Sequence, residues 1–238
     1  MVYGSAVPNL SYTYSGLVNN DSAATFTGAL STTATNTANV GSNYLISQAS
    51  LVATGNYAIT SFVPANVTIT ARPLTITADT KSIVYGDSAL PVLTYTQTGL
   101  VNSDQITGSL AAPTNLNLFN GADGSASPVS ANGVVYPIGR GSIAASSNYA
   151  ITYVPANFAI TARPITITAD ASQTKIYGEA NPANYTYTVE ANGTGRGLVG
   201  SDTFTGSLAR AAGENVGSYA INQGTVANSN YAISYVPA

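Results

Sequence analysis

The sequence contains no cysteine, no histidine and no tryptophan, and its single methionine is Met1. Without thiols the chain forms no disulfides and offers no thiolate nucleophile, and without imidazoles it lacks the commonest general base and zinc ligand. We therefore predict that the protein is not an enzyme, that it has no catalytic residues, and that it holds no cofactor or metal.

Charged residues are also scarce. The chain has 7 Lys and Arg against 10 Asp and Glu, a net charge of -3, and only 7% of its residues are charged. Nucleic-acid binding requires clustered cations, which seven scattered ones do not supply, so no nucleic-acid partner is expected. No uncharged apolar run approaches the roughly 18 residues of a membrane span, so we expect no membrane insertion of this segment.

Uncharged polar residues replace the missing charges. The chain has 30 Thr, 25 Ser and 22 Asn, together with 16 Tyr, and 45% of its residues are hydrophobic. Disordered segments are typically poor in aromatic and apolar residues, so this composition indicates a folded chain with a surface of hydroxyl and amide groups.

The chain is built from three copies of one module. The shared anchors are Tyr-Gly at 3, 85 and 177, Gly-Leu-Val at 16, 99 and 197, Asp at 21, 104 and 202, Thr-Gly at 27, 107 and 205, Asn-Tyr-Ala-Ile at 56, 148 and 230, and Val-Pro-Ala at 63, 154 and 236. So many anchors in one order mark an internal repeat. We predict repeat 1 at 1–71, repeat 2 at 72–162 and repeat 3 at 163–238.

Each repeat reads as a series of short strands. Residues 75–79 and 166–170 alternate apolar and hydroxylic side chains with a period of two, which is typical of a half-buried strand. No segment keeps apolar residues at helical spacing over several turns. The prediction is an all-β fold of small, immunoglobulin-like β-sandwich modules. A β-grasp-like module with one short helix near the Gly-Leu-Val segment is the alternative, and the sheet topology is left open.

The junctions between repeats are short. Ala71-Arg72-Pro73 and Ala162-Arg163-Pro164 each lie between two strand-like segments, where a flexible linker would be longer and rich in Gly or Ser. Proline fixes its own φ and favours an extended residue before it. We therefore expect limited bending between repeats and three modules arranged end to end as a rod.

The two end modules look incomplete. Repeat 1 has no counterpart of the strand at 74–79, and repeat 3 has none of the segment at 157–161. This pattern suggests a window from a longer array, in which the missing strands leave sheet edges that seek partners.

Repeat 2 carries an inserted loop at about 111–133, rich in Asn, Gly, Ala and Ser. Surface loops tolerate insertions, and they also carry function when a rigid scaffold presents them. If this loop contacts a ligand, Asn117, Phe119 and Asp123 are the candidate residues.

We expect the recurring aspartates and tyrosines to have structural roles. An Asp present once per repeat is expected to cap a turn, because Asx side chains bond their own backbone. The recurring tyrosines are expected to pack in the core with bonded hydroxyls, although exposed tyrosine rings could also stack on sugars. The Asp and Asn residues are too sparse for the converging oxygens of a calcium site.

The sequence resembles a known family. Tyr177-Gly178, Asn181-Pro182, the Gly-Leu-Val at 197, Asp202 and the segment 213–221 are similar to the MBG-type (YGX) repeats of large bacterial surface proteins, including filamentous-haemagglutinin-like adhesins. The resemblance covers essentially the whole chain. It implies an exported array that carries a binding domain away from the cell, and it supplies no catalytic residues.

The leading hypothesis is therefore a structural stalk of a bacterial cell-surface or secreted adhesin, whose length is set by the number of repeats. Its partners would be other repeats of the same parent chain, with a host surface or glycans bound through other domains. Two alternatives stay open: a module that itself binds glycans or a host protein, and an extracellular filament or matrix protein that assembles by strand addition.

Overall fold

The computed structural model describes residues 1–21, 25–117, 130 and 134–238. None of these residues belongs to an α-helix, and the regular structure consists of short strands. The predicted all-β class is confirmed, and the helix required by the β-grasp-like alternative is absent from the described residues.

The strands follow the repeats in order. Repeat 1 contains β1 (Phe26–Thr27), β2 (Ser31–Thr32), β3 (Tyr44–Ser47), β4 (Val52–Ala53) and β5 (Ala65–Val67). Repeat 2 contains β6 (Arg72–Ala78), β7 (Lys81–Val84), β8 (Tyr95–Thr98), β9 (Tyr136–Pro137), β10 (Tyr149–Val154) and β11 (Asn157–Thr161). Repeat 3 contains β12 (Arg163–Ala169), β13 (Tyr187–Val189), β14 (Ala209–Arg210), β15 (Ile221–Asn222) and β16 (Tyr231–Val236).

The strand that opens repeats 2 and 3 is the centre of a sheet. β6 lies between β10 and β8, and β12 lies between β13 and β16. The pairs β6–β10 and β12–β16 are parallel, whereas β12–β13 is antiparallel. The sheet around β12, whose topology the sequence left open, is therefore mixed.

A second small sheet completes each of the first two repeats. In repeat 2, β11 pairs with β7 in parallel and with β9 in antiparallel orientation. In repeat 1, β3 lies between β2 and β5, and both pairs are antiparallel. Only Ala162 separates β11 from β12, so this junction is as short as the sequence indicated.

The period-two pattern of β6 and β12 determines which side chains form the core. Leu74, Ile76 and Ala78 are buried in turn along β6, and the hydroxylic residues between them lie on the other face. In repeat 3, Ile167 of β12 belongs to a buried cluster with Leu208 and Val226. Branched side chains pack well on a pleated surface, which is why these segments form central strands.

The chain divides into two compact units, and repeat 2 contributes to both. The first unit contains Met1–Thr77, Tyr95–Gly108 and Ser142–Val154. The second contains Ala78–Thr94, Ser109–Gly141 and Pro155–Ala238. Each unit therefore contains the boundary between two successive repeats.

Candidate functional site: the tyrosine–aspartate junctions

In the first unit, one carboxylate accepts hydrogen bonds from two tyrosine hydroxyls, one in repeat 1 and one in repeat 2. The hydroxyl of Tyr3, in repeat 1, donates to Asp104 Oδ2 over 2.9 Å. The hydroxyl of Tyr149, in repeat 2, donates to the same oxygen over 2.7 Å. The two rings meet edge to face with centroids 5.5 Å apart, an arrangement that aromatic quadrupoles favour.

The second unit joins repeats 2 and 3 in the same way. Asp202 Oδ2 accepts hydrogen bonds from the hydroxyl of Tyr85, in repeat 2, over 3.0 Å and from that of Tyr231, in repeat 3, over 2.6 Å. The two rings again meet edge to face, with centroids 5.6 Å apart. We call each of these sets a tyrosine–aspartate junction.

An arginine from the Ala-Arg-Pro segment bonds to both repeats at each junction. Arg72 donates from Nε to the carbonyl oxygen of Gly99 over 2.9 Å and from Nη1 to that of Tyr3 over 3.3 Å. A planar guanidinium with donors in fixed directions suits such a role, because it reaches two carbonyls at once.

Arg163 makes the corresponding contacts in the second unit and adds others. Its Nε donates to Gly197 O over 3.0 Å, and its Nη1 donates to Tyr85 O over 3.0 Å and to Asp87 Oδ1 over 2.8 Å. Its Nη2 donates to three further acceptors, the side-chain oxygen of Asn192 and the carbonyl oxygens of residues 193 and 196. The residue is 2% exposed, so its charge is held inside the protein by fixed acceptors.

The glycine of the Tyr-Gly pair in repeats 1 and 2 makes room for the following repeat. Gly86 has φ +79°, and a Cβ placed on it would lie 2.3 Å from Cγ2 of Val199. Gly4 has the same φ, and its Cβ would lie 2.5 Å from Cγ2 of Val101. The valine of Gly-Leu-Val therefore packs against a backbone that cannot carry a side chain, which explains the pairing of Tyr with Gly in the repeat.

The junction environment favours neutral phenols. Burial, reinforced by the hydrogen bond to Asp202, raises the pKa of Tyr85 to about 12. The same two causes raise the pKa of Tyr231, and burial beside Asp104 raises that of Tyr149. The hydroxyls of Tyr85, Tyr149 and Tyr231 thus remain protonated hydrogen-bond donors over the whole physiological pH range, and their role in the junctions is structural.

The end repeats each hold one half of a junction. In repeat 1, the hydroxyl of Tyr57 donates to Asp21 Oδ2 over 2.7 Å, as Tyr149 and Tyr231 do to their aspartates. In repeat 3, Tyr177 is 69% exposed, whereas Tyr3 and Tyr85 are buried.

Of the three loop residues selected from the sequence, Asn117 is the one that the structure describes. Asn117 is exposed, while Phe119 and Asp123 lie outside the described residues. A ligand-contact role for this loop stays a prediction. No group of three or more acidic residues that could hold a metal ion is found in the described part of the chain.

Sequence reasoning missed the main role of the recurring aspartates. A turn is present, since the amide of Asp104 donates to Val101 O over 3.0 Å and that of Asp202 to Val199 O over 3.0 Å. The carboxylates, however, bond to tyrosines from two repeats. The order Tyr, Asp, Tyr recurs in each repeat, and this recurrence is the sequence signal that could have indicated the junctions. Residues that recur together can contact each other across the boundary between two repeats.

Comparison with known proteins agrees with the internal repeats. A family model described as MBG domain (YGX type) matches residues 1–68, 74–159 and 165–238. No curated protein and no solved structure matches the chain significantly. Over the residues described, no helix has the length and apolar character needed to cross a membrane. Three matches that cover nearly the whole sequence show that the chain belongs to the MBG domain family of the YGX type.

Proposed function

We propose that the chain is a structural spacer in a bacterial cell-surface or secreted adhesin, where its repeats hold a binding region away from the cell. MBG domain repeats are found in surface proteins, and three of them occur here in tandem. The proposal assigns the chain a mechanical role and no catalytic one.

The observation that carries the proposal is the repetition of the junction itself. The same residue types, Tyr-Gly, Arg and Gly-Leu-Val with its following Asp, bridge repeats 1 and 2 within the first unit and repeats 2 and 3 within the second. A flexible linker would be enough to hold the modules in one chain without fixing their relative orientation. Charge-assisted hydrogen bonds, ring packing and a glycine contact at one boundary favour a fixed geometry.

The chemistry of the chain supports the same role. A surface with few charges makes a spacer insensitive to ionic strength, and the lack of cysteine and internal methionine leaves few groups for oxidants. In tandem arrays with short junctions, the number of repeats sets the length.

Small-angle X-ray scattering on a monodisperse sample tests the proposal. Three sandwiches arranged end to end predict a radius of gyration of roughly 35 Å from strand lengths. A compact globule of this size predicts roughly 18 Å. The larger value supports a spacer, and the smaller value would contradict it and favour a composite binding surface.

An Asp104→Ala variant serves as the matched comparison in the same experiment. If the junctions fix the geometry, this variant should broaden the distribution of intramolecular distances while circular dichroism stays that of a β protein. An unchanged distribution would show that the junction does not limit bending.

A further inference from the structure

Repeat 1 carries an open groove of about 840 Å³. Its two sides are formed by residues 11–17 and 57–63, and its floor is formed by Phe26, Leu30, Ile46 and Leu51. Neither side belongs to a regular strand in the structure. The groove therefore presents an apolar floor between two segments that form no regular strand.

In the other two repeats, a strand occupies the equivalent place. Residues 57–63 correspond to the segments that form β10 and β16, through the shared Asn-Tyr-Ala-Ile motif. Residues 11–17 lead into Gly-Leu-Val, as β8 does in repeat 2. Since β6 lies between β10 and β8, and β12 lies beside β16, the groove is the position of a central strand.

The floor of the groove matches the partners of that strand. In repeat 3, Ile167 and Ala169 of β12 are buried with Leu208, Ile221 and Val226, and Phe204 packs against the same cluster. By the repeat alignment, Leu30 corresponds to Leu208, Ile46 to Ile221, Leu51 to Val226 and Phe26 to Phe204. The groove therefore offers the apolar surface that an Ile-x-Ala strand covers in repeat 3.

The polar contacts of that strand also have counterparts in repeat 1. The amide of Arg72 donates to Asn148 O, and that of Arg163 donates to Asn230 O, both over 2.9 Å. The equivalent acceptor in repeat 1 is the carbonyl oxygen of Asn56. The guanidinium Nε of each arginine donates to the carbonyl of the glycine that opens Gly-Leu-Val, whose counterpart here is Gly16.

Gly16 shows that the space is open. A Cβ on Gly99 would lie 2.4 Å from the carbonyl oxygen of Pro73, the second residue of β6. A Cβ on Gly16 would have no heavy atom within 4 Å, although Gly16 also has a positive φ, of +96°. The difference between these two glycines is the presence of the strand.

We propose that this groove binds an extended segment of the type Arg-Pro-Leu/Ile-Thr-Ile-Thr-Ala, supplied by another YGX repeat and aligned parallel to residues 57–62. Seven residues in a strand span about 23 Å. The added strand would take up backbone groups along both sides and place its alternate apolar side chains on the floor. The proposal does not depend on the spacer role, because strand binding is measured separately from the shape of the chain.

The first test uses a labelled peptide with the sequence of residues 162–170, titrated into the intact chain by fluorescence anisotropy. Saturable binding is expected, together with slower hydrogen exchange at residues 57–63. A peptide with aspartate in place of Ile167 should bind at least about tenfold more weakly, because it would bury a carboxylate on an apolar floor. Equal binding of the two peptides, or no binding up to about 1 mM, would overturn the proposal.

Two variants of the protein separate the groove from other surfaces. Gly16→Ala leaves the free groove without a clash but places a methyl group where the proline carbonyl of the incoming strand must lie, so peptide binding should be lost. Alanine is strained at the φ of +96° by about 1–2 kcal/mol, so Gly41→Ala, which carries similar strain at φ +83° and also meets no atom within 4 Å, is the matched control and should keep peptide binding. A chain with the sequence of residues 71–82 grafted before Met1 keeps the spacing found in repeat 2. It should protect residues 57–63 without peptide and should no longer bind the peptide.

The two segments of this chain that have the proposed sequence, β6 and β12, are already central strands of their own repeats, so the competing occupant is a second copy of the chain bound through another surface. Protection of residues 57–63 that rises with protein concentration in the absence of peptide would assign the groove to self-association and overturn the proposal. Failure of the grafted chain to protect these residues would also overturn it, even if the Gly16→Ala variant proved unstable.

Discussion

Tyr85 donates its hydroxyl hydrogen bond to Asp202, a residue 117 positions further along the chain and in the following repeat. The same oxygen of Asp202 accepts a bond from Tyr231 of its own repeat. One carboxylate therefore connects two repeats. The energetic consequences of this connection are testable because, within the described part of the chain, the corresponding carboxylate of repeat 1, Asp21, is bonded by one of the two tyrosines.

Removal of the carboxylate should destabilise the junction strongly. In Asp202→Ala, the hydroxyls of Tyr85 and Tyr231 lose their acceptor inside the protein. At about 1–3 kcal/mol for each unsatisfied buried group, we expect a loss of about 2–4 kcal/mol in the free energy of unfolding of the second unit. Hydrogen exchange at the amides of β12 and β16 measures this loss locally.

Asp21→Ala is the matched control for that experiment. Asp21 is exposed, and among the described residues its carboxylate accepts a bond from Tyr57 alone, so its removal should cost less than about 1 kcal/mol. Equal effects of the two substitutions would show that the bond from the preceding repeat does not contribute.

Substitution of the glycine in Tyr-Gly should distinguish steric contact from backbone strain. Gly86 and Gly178 have φ +79° and +83°, so alanine is strained at both positions, by about 1–2 kcal/mol. Only Gly86→Ala also places a methyl group against Val199, whereas the same change at Gly178 meets no atom within 4 Å. Overpacking should make Gly86→Ala more destabilising by about 1–3 kcal/mol.

Urea denaturation of the two glycine variants, followed by circular dichroism, measures the difference. If both variants unfold at the same urea concentration, the strain of a positive φ accounts for the whole effect and the contact with Val199 is not tight.

The all-β class, the three repeats and the strand pattern of β6 and β12 could be predicted from the sequence because they depend on local properties. The alternation of apolar and hydroxylic side chains at Leu74, Thr75 and Ile76 indicates a half-buried strand, whichever residues pack against it. The tyrosine–aspartate junctions could not be predicted in the same way. Nothing local in Asp202 shows that its second partner is Tyr85, since that contact depends on how successive repeats pack.

The arginine of each junction illustrates the same limit. Arg72 and Arg163 stand in identical Ala-Arg-Pro segments, and proline explains their extended backbone. The side-chain acceptors differ, because Arg163 also donates to the side chains of Asp87 and Asn192. Sequence identity at the arginine therefore did not determine its surroundings.

Replacement of Arg163 by lysine should not be conservative. Lysine offers one ammonium in place of a planar group that here serves six acceptors, so several carbonyls and the carboxylate of Asp87 would lose their donors. We expect a loss of about 3–5 kcal/mol for Arg163→Ala and only partial recovery for Arg163→Lys. Arg72→Lys, which disturbs two bonds, is the control and should cost less. Thermal denaturation of wild type, Arg163→Ala, Arg163→Lys and Arg72→Lys measures the order of their stabilities.

Alkaline pH should weaken the second unit through Tyr85. Burial and the bond to Asp202 raise the pKa of this tyrosine to about 12, above the value of about 10 expected in the unfolded chain. The unfolded state therefore releases its proton first. The stabilisation from the neutral phenol is complete below about pH 10 and is lost as the pH rises towards 12.

Tyr85→Phe should reduce this alkaline loss, because phenylalanine carries no proton to release, although the variant should be less stable near neutral pH by about 1 kcal/mol for the lost hydrogen bond. Tyr177→Phe changes the exposed tyrosine of the same motif and should retain the wild-type profile. Urea midpoints measured from pH 7 to 12 provide the comparison. If Tyr85→Phe loses stability above pH 10 as steeply as wild type does, the ionisation of Tyr85 is not linked to folding and another group must account for the alkaline transition.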